Sequence, residues 1–131
     1  MERPPALDAT TGALLWDHPG LSAFGAISVA KGMLYFGSGD GNLYALDATS
    51  GALIWKYTTG DTNSSPVVAN GAVYFGSGPF ISNLYALNSN TGELLWEYPV
   101  SYVPNPPAVV NGMVYVESDD ENLYAFHLSP H

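Results

Sequence analysis

An all-β fold of repeated four-stranded antiparallel sheets is what this sequence predicts, on three observations. The first is a period near forty residues: Trp16, Trp55 and Trp96 are spaced by 39 and 41, as are Gly32, Gly71 and Gly112, and Tyr44, Tyr85 and Tyr124 by 41 and 39. Self-similarity on that scale marks a repeat architecture. The second is that each period holds apolar runs of five or six residues separated by turn signals, too short for typical helices. The third is composition: 14 Gly and 10 Pro in 131 residues suit many tight turns and no long helix. A four-stranded sheet apolar on both faces needs a neighbour on each side, which describes a blade of a β-propeller.

The elements follow in chain order. ALLWDH (13–18) reads as a fourth strand that closes the last blade, and 26–57 as one complete blade. The second complete blade spans 65–98: SPVVA (65–69), the turn Asn70-Gly71, AVYFGS (72–77), a loop, NLYALN (83–88), the turn SNTG (89–92) and ELLWEY (93–98). Asn-Gly between two apolar runs favours a type I′ hairpin, because both central residues take positive φ. Residues 106–127 supply the first three strands of the last blade, which lacks a Trp strand of its own. The two-residue slip in the period falls between the second and third strands, where GSGDGN (37–42) becomes GSGPFISN (76–83). Phe80 and Ile81 in that longer loop are candidate contacts for a partner or ligand.

The strings ALDATTGALLW (6–16), ALDATSGALIW (45–55) and ALNSNTGELLW (86–96) resemble the tryptophan-docking repeats of the PQQ-like, or quinoprotein-like, β-propellers. The resemblance covers nearly the whole chain. It implies that Trp16, Trp55 and Trp96 tie adjacent blades together, with Ala6, Ala45, Ala86 and Gly12, Gly51, Gly92 at the matching motif positions. Asp8, Asp47 and Asn88 stand where a side chain caps the following turn, so a structural role is expected of them.

Three blades are fewer than the four to eight that close a propeller ring. The fourth strand at 13–18 matches the strand that the last blade lacks, so completion by oligomerisation is expected: two chains make six blades, three make nine. A homodimer with strand exchange is the favoured arrangement, a homotrimer the alternative; three blades cut from a longer propeller is the competing account.

Charge and composition narrow function. Twelve acids against three bases give a net charge of −9, a surface that repels nucleic acid and anionic lipid. Without cysteine there is no disulfide, thiolate nucleophile or Cys-ligated metal. The start carries no apolar signal-peptide core and no run is long enough to span a membrane, so a soluble chain is expected, with its compartment unread. Asp40, Asp61, Asp119, Asp120 and Glu121 gather on the face formed by the second-to-third and fourth-to-first loops. Asp119, Asp120, Glu121 and Asp40 are the candidate ligands for a hard cation such as Ca²⁺, against the weightier reading of a solvated acidic rim.

The resemblance also raises a PQQ-dependent dehydrogenase. Arg3, Lys31 and Lys56 are the only bases, in a terminal tail, a hairpin turn and an outer strand, so none is placed to clamp an anionic quinone. His18, His127 and His131 form no triad and no defined metal site. No catalytic constellation and no required cofactor are read from the chain. A non-enzymatic scaffold or binding module is expected, holding a protein or small ligand at the channel mouth or rim, with a dehydrogenase fragment as the alternative.

Overall fold

The computed structural model describes residues 6–7, 14–16, 23–60, 62–63, 65–78, 83–100, 106–110, 112–117 and 121–127, with side chains described from Ala26 onward except those of 62–63. Every regular element among them is a β-strand. The first complete blade is the antiparallel sheet β3 (Ala23–Ala30), β4 (Met33–Ser38), β5 (Asn42–Asp47) and β6 (Leu53–Thr58), in that order. The second runs through β7 (Thr62–Asn63), β8 (Val67–Ala69), β9 (Ala72–Gly78), β10 (Asn83–Asn88) and β11 (Leu94–Pro99). The third holds β12 (Ala108–Val110), β13 (Met113–Glu117) and β14 (Leu123–His127). An all-β propeller fold with antiparallel blades is thus observed.

Two details depart from uniform strands. The innermost strand of the second blade is split: β7 and β8 both pair with β9, across a break that contains Pro66. Proline has no N–H for a ladder, so an interruption there costs the sheet little. The innermost strand of the first blade is continuous but shifts register between Phe24 and Ser28. The stretch 13–18 contains β2 (Leu14–Trp16), which pairs with β1 (Ala6–Leu7) of the same chain in a two-stranded sheet. Its register, Ala6 opposite Trp16, repeats Ala45 opposite Trp55 and Ala86 opposite Trp96.

Turn chemistry sets the hairpins locally. Lys31-Gly32 and Asn70-Gly71 both hold positive φ at their two central residues, as a type I′ turn demands. Asp47 Oδ1 accepts the backbone N–H groups of Thr49 (2.8 Å) and Ser50 (2.9 Å). Asn88 Oδ1 likewise accepts those of Asn90 (2.9 Å) and Thr91 (3.1 Å). These Asx turns close the hairpins that lead into the Trp strands.

The core lies between blades. Tyr35, Leu43, Ala45 and Trp55 of the first blade pack against Val73, Phe75, Tyr85 and Leu87 of the second. Ala72, Tyr74, Leu84 and Ala86 of the second meet Val114 and Val116 of the third, with Trp96, Tyr124 and Phe126 alongside. The remaining face of the first blade, Phe36, Tyr44 and Leu46, is buried too. β4, β5, β9 and β10 therefore bury successive side chains on both faces, as the middle strands of a sheet packed on two sides require.

Candidate functional site

The most constrained chemistry sits where the first blade meets the second. β6 carries Trp55, whose ring leans on Tyr35 of the same blade at 5.9 Å between centroids and 47° between planes. Its indole then crosses to the second blade. The Nε1–H donates to the Ser89 carbonyl at 3.0 Å, and the Tyr35 hydroxyl donates to the same oxygen at 2.8 Å. The ring covers Gly92, where a Cβ would stand 2.6 Å from Cδ2. Only glycine admits so close an aromatic face, and the positive φ of 77° at Gly92 favours it again. Ser89, the acceptor of both bonds, gives no signal in the sequence because it acts through its backbone oxygen.

The second interface repeats part of this. Trp96 leans on Tyr74 at 6.1 Å and the same 47°. Beyond it, however, Trp96 meets Phe126 at 5.8 Å, and Tyr98 meets Phe126 edge-on at 5.1 Å. Phe126 occupies the repeat position of Leu87, so a larger ring enlarges this seam. The inner strands are also tied across blades: the Ala26 N–H donates to Ser65 Oγ at 2.7 Å, and the Ser28 hydroxyl donates to the Pro66 carbonyl.

The rim holds a smaller polar cluster. The Tyr44 hydroxyl donates to Asp40 Oδ2 at 2.5 Å, the Asn42 N–H donates to Oδ1 at 3.1 Å, and the Thr58 hydroxyl donates to Asn42 Oδ1 at 2.5 Å. Burial pushes the Asp40 carboxyl up, but hydrogen bonds from Tyr44, Asn42 and Ser38 outweigh it and leave the pKa below the ordinary 3.8. Burial and the Asp40 bond push the Tyr44 phenol up. The neighbouring loops meet here, since the N–H groups of Thr59 and Gly60 both donate to the Gly41 carbonyl, at 3.0 and 3.2 Å.

Of the candidate cation ligands, Asp40 is spent on its own hairpin and Glu121 is exposed at a turn with φ 67°. Asp61, Asp119 and Asp120 lie outside the described residues, as do Gly12, Phe80 and Ile81; for Trp16 and Ala6 the backbone alone is described. Among the described residues no three His, Asp or Glu side chains gather as a metal site would need. Lys31 and Lys56 are both exposed, one at a turn and one on the outer strand β6. The described inter-blade aromatics are occupied with one another. Among the described residues no helix is long and apolar enough to cross a membrane.

The blade geometry has solved counterparts. BamB from Moraxella catarrhalis is 26% identical over 96% of this chain, with a TM-score of 0.84. The computationally designed Ika4 protein shares the fold with a TM-score of 0.83 at 17% identity, covering 97% of this chain and 80% of its own. The quinohemoprotein alcohol dehydrogenase ADHIIG from Pseudomonas putida HK5 is 29% identical over 78% of this chain and 18% of its own, with a TM-score of 0.64. No curated protein sequence matches the chain. The chain spans 40% of the length of the Moraxella BamB. The family model described as outer membrane protein assembly factor BamB matches residues 5–79 and 80–129; with its Trp, Ala and Gly positions set in antiparallel blades, this chain belongs to that PQQ-like propeller-repeat family.

Proposed function

We propose that the chain is a non-enzymatic propeller module: a ring-forming scaffold that assembles with further copies of itself and holds a protein or small ligand at its channel mouth or rim loops. The observation that carries this reading is the seat of Trp55. The repeat motif spends its most distinctive groups, the indole, the Tyr35 hydroxyl, the Ser89 carbonyl and Gly92, on fastening one blade to the next. Trp16, Trp55 and Trp96 act on this reading as docking residues. The family likeness to an outer membrane protein assembly factor favours a protein as partner, and the charge of −9 favours one with a basic surface. Phe80 and Ile81 are the loop contacts that the sequence offers such a partner.

Likeness to the quinohemoprotein alcohol dehydrogenase supports a second reading, a fragment of a PQQ-dependent propeller enzyme. Titration with PQQ and Ca²⁺, followed by absorbance and by dye reduction with a primary alcohol, separates the two. The scaffold reading expects no quinone-dependent spectral shift and no dye reduction. Saturable binding with turnover would replace it with the enzyme.

A further inference from the structure

The third blade presents, uncovered, the same face that the first two blades bury. Leu43 and Leu84 are fully buried, whereas Leu123 at the same repeat position is 72% exposed. Tyr35 and Tyr74 are 2% and 4% exposed, and Tyr115 is 37% exposed. Ala45 and Ala86 are buried; Ala125 is exposed, and Val110 on β12 is exposed as well. Below this face, β14 pairs with β13, and among the described residues no further strand is paired to it. Apolar groups of this number on one face signal an interface.

The chain itself carries the complementary surface. At the first interface, Val73, Phe75, Tyr85 and Leu87 cover Tyr35, Leu43 and Ala45. Leu34, Phe36, Tyr44 and Leu46 stand at the repeat positions of those four covering residues; Phe36, Tyr44 and Leu46 are already buried within the single chain, so a partner's third blade must displace what covers them there. They belong to the blade that follows β2 in sequence. In every complete blade the Trp strand precedes the covering blade and pairs with an alanine of the third strand. β2 has that alanine only in β1, where two residue pairs make the whole ladder. β14 offers five residues with Ala125 at the same position.

We infer that a second copy of this chain completes the third blade: its Leu14–Trp16 strand leaves β1 and pairs with β14, placing Trp16 opposite Ala125, while its first blade covers Leu123 and Tyr115. The exchange rests on the scaffold reading above and names its partner. Reciprocal exchange closes a two-copy ring of six blades with no free apolar face, within the range that propellers occupy.

Light scattering after gel filtration, across a concentration series, tests the stoichiometry. A species of twice the 13.9 kDa chain mass is expected. Leu123→Asp, at a side chain already exposed in the single chain, should convert it to one chain mass with an unchanged β-sheet circular dichroism spectrum. The partner of β14 is tested by disulfide trapping in this cysteine-free background. Leu43 faces Tyr57 and Leu84 faces Tyr98, so exchange puts Leu123 opposite His18 of the other copy. Isotopically distinguishable chains carrying His18→Cys or Leu123→Cys, mixed and oxidised, should give a mixed covalent dimer in large excess over either homodimer. A single-chain mass at all concentrations, a larger oligomer without the two-copy species, or an intrachain disulfide in the doubly substituted chain would each overturn the exchange. Because quinone binding is read separately, a monomer inert to PQQ removes the exchange and the self-assembly and leaves only the non-enzymatic part of that reading. A quinone-reducing dimer does the reverse.

Discussion

The Trp55 indole, around its ring-fusion atom Cδ2, lies so close on Gly92 that a Cβ built there would meet Cδ2 at 2.6 Å, Cε3 at 2.7 Å and Cγ at 2.9 Å. One glycine thus sets the spacing between two blades. Gly92→Ala adds a methyl beneath a fully packed ring and strains a backbone at φ 77°; together these should cost about 2–4 kcal/mol. Gly32→Ala supplies the control, because φ is 76° there but nothing stands within 4 Å of the added Cβ. It should cost only about 1 kcal/mol. Urea melts of both variants check the difference, which isolates the ring contact from the backbone strain. Equal costs would mean that the seam relaxes freely.

The Ser89 carbonyl accepts from both Tyr35 and Trp55, so the two donors should be coupled. Tyr35→Phe or Trp55→Phe alone leaves the oxygen one partner, and the lost hydrogen bond should cost roughly 1 kcal/mol in each case, with a further loss of packing at the Trp site. The double variant leaves a buried carbonyl with neither donor. Its destabilisation should exceed the sum by roughly 1 kcal/mol, as a double-mutant cycle would measure.

Burial pushes the phenols of Tyr35, Tyr57 and Tyr74 above their ordinary value of 10.0. The folded chain therefore holds these protons more tightly than the unfolded chain, and stability must fall as pH rises past 10.0 toward the folded-state values. Thermal melts between pH 8 and pH 11 should show a plateau and then a decline. Tyr74→Phe, at the ring whose shift comes from burial alone, should make that decline shallower.

At the acid end the sign reverses. Backbone N–H groups of Ser50 and Thr49 hold the Asp47 carboxyl below its ordinary 3.8, so its contribution is complete above that pH and disappears as pH falls through the lower folded-state value. Asp47→Asn keeps an acceptor oxygen without the titration. The stability gap between the two proteins should narrow below pH 3.8. Wild type and variant with parallel pH profiles would contradict the assignment.

Asn88 does without charge what Asp47 does with it. Asn88→Ala removes the acceptor for Asn90 and Thr91 and should cost about 1 kcal/mol. Asn88→Asp should recover most of this at neutral pH. Chemical denaturation reads both.

Much of this arrangement is legible in the sequence because its causes are local. The forty-residue period, the hairpin at Asn70-Gly71 and the strands around Trp55 and Trp96 follow from alternation and turn chemistry within a few residues of each position. The split of the inner strand at Pro66 and the fourth-strand segment at 13–18 pairing with Ala6–Leu7 do not, since they depend on which edge a strand finds. Nor does the Ser89 carbonyl, because a backbone acceptor leaves no mark on residue type.

What the sequence by itself determined is the repeated unit and the residues that recur in it. What only the tertiary structure decided is which copy of a repeated residue is covered. Leu43, Leu84 and Leu123 each sit in the string NLYA, yet two are wholly buried and the third is 72% exposed. The physical reason is that burial belongs to a pair of surfaces: strand propensity and turn geometry are settled inside one blade, whereas removal from water needs the next blade to be there.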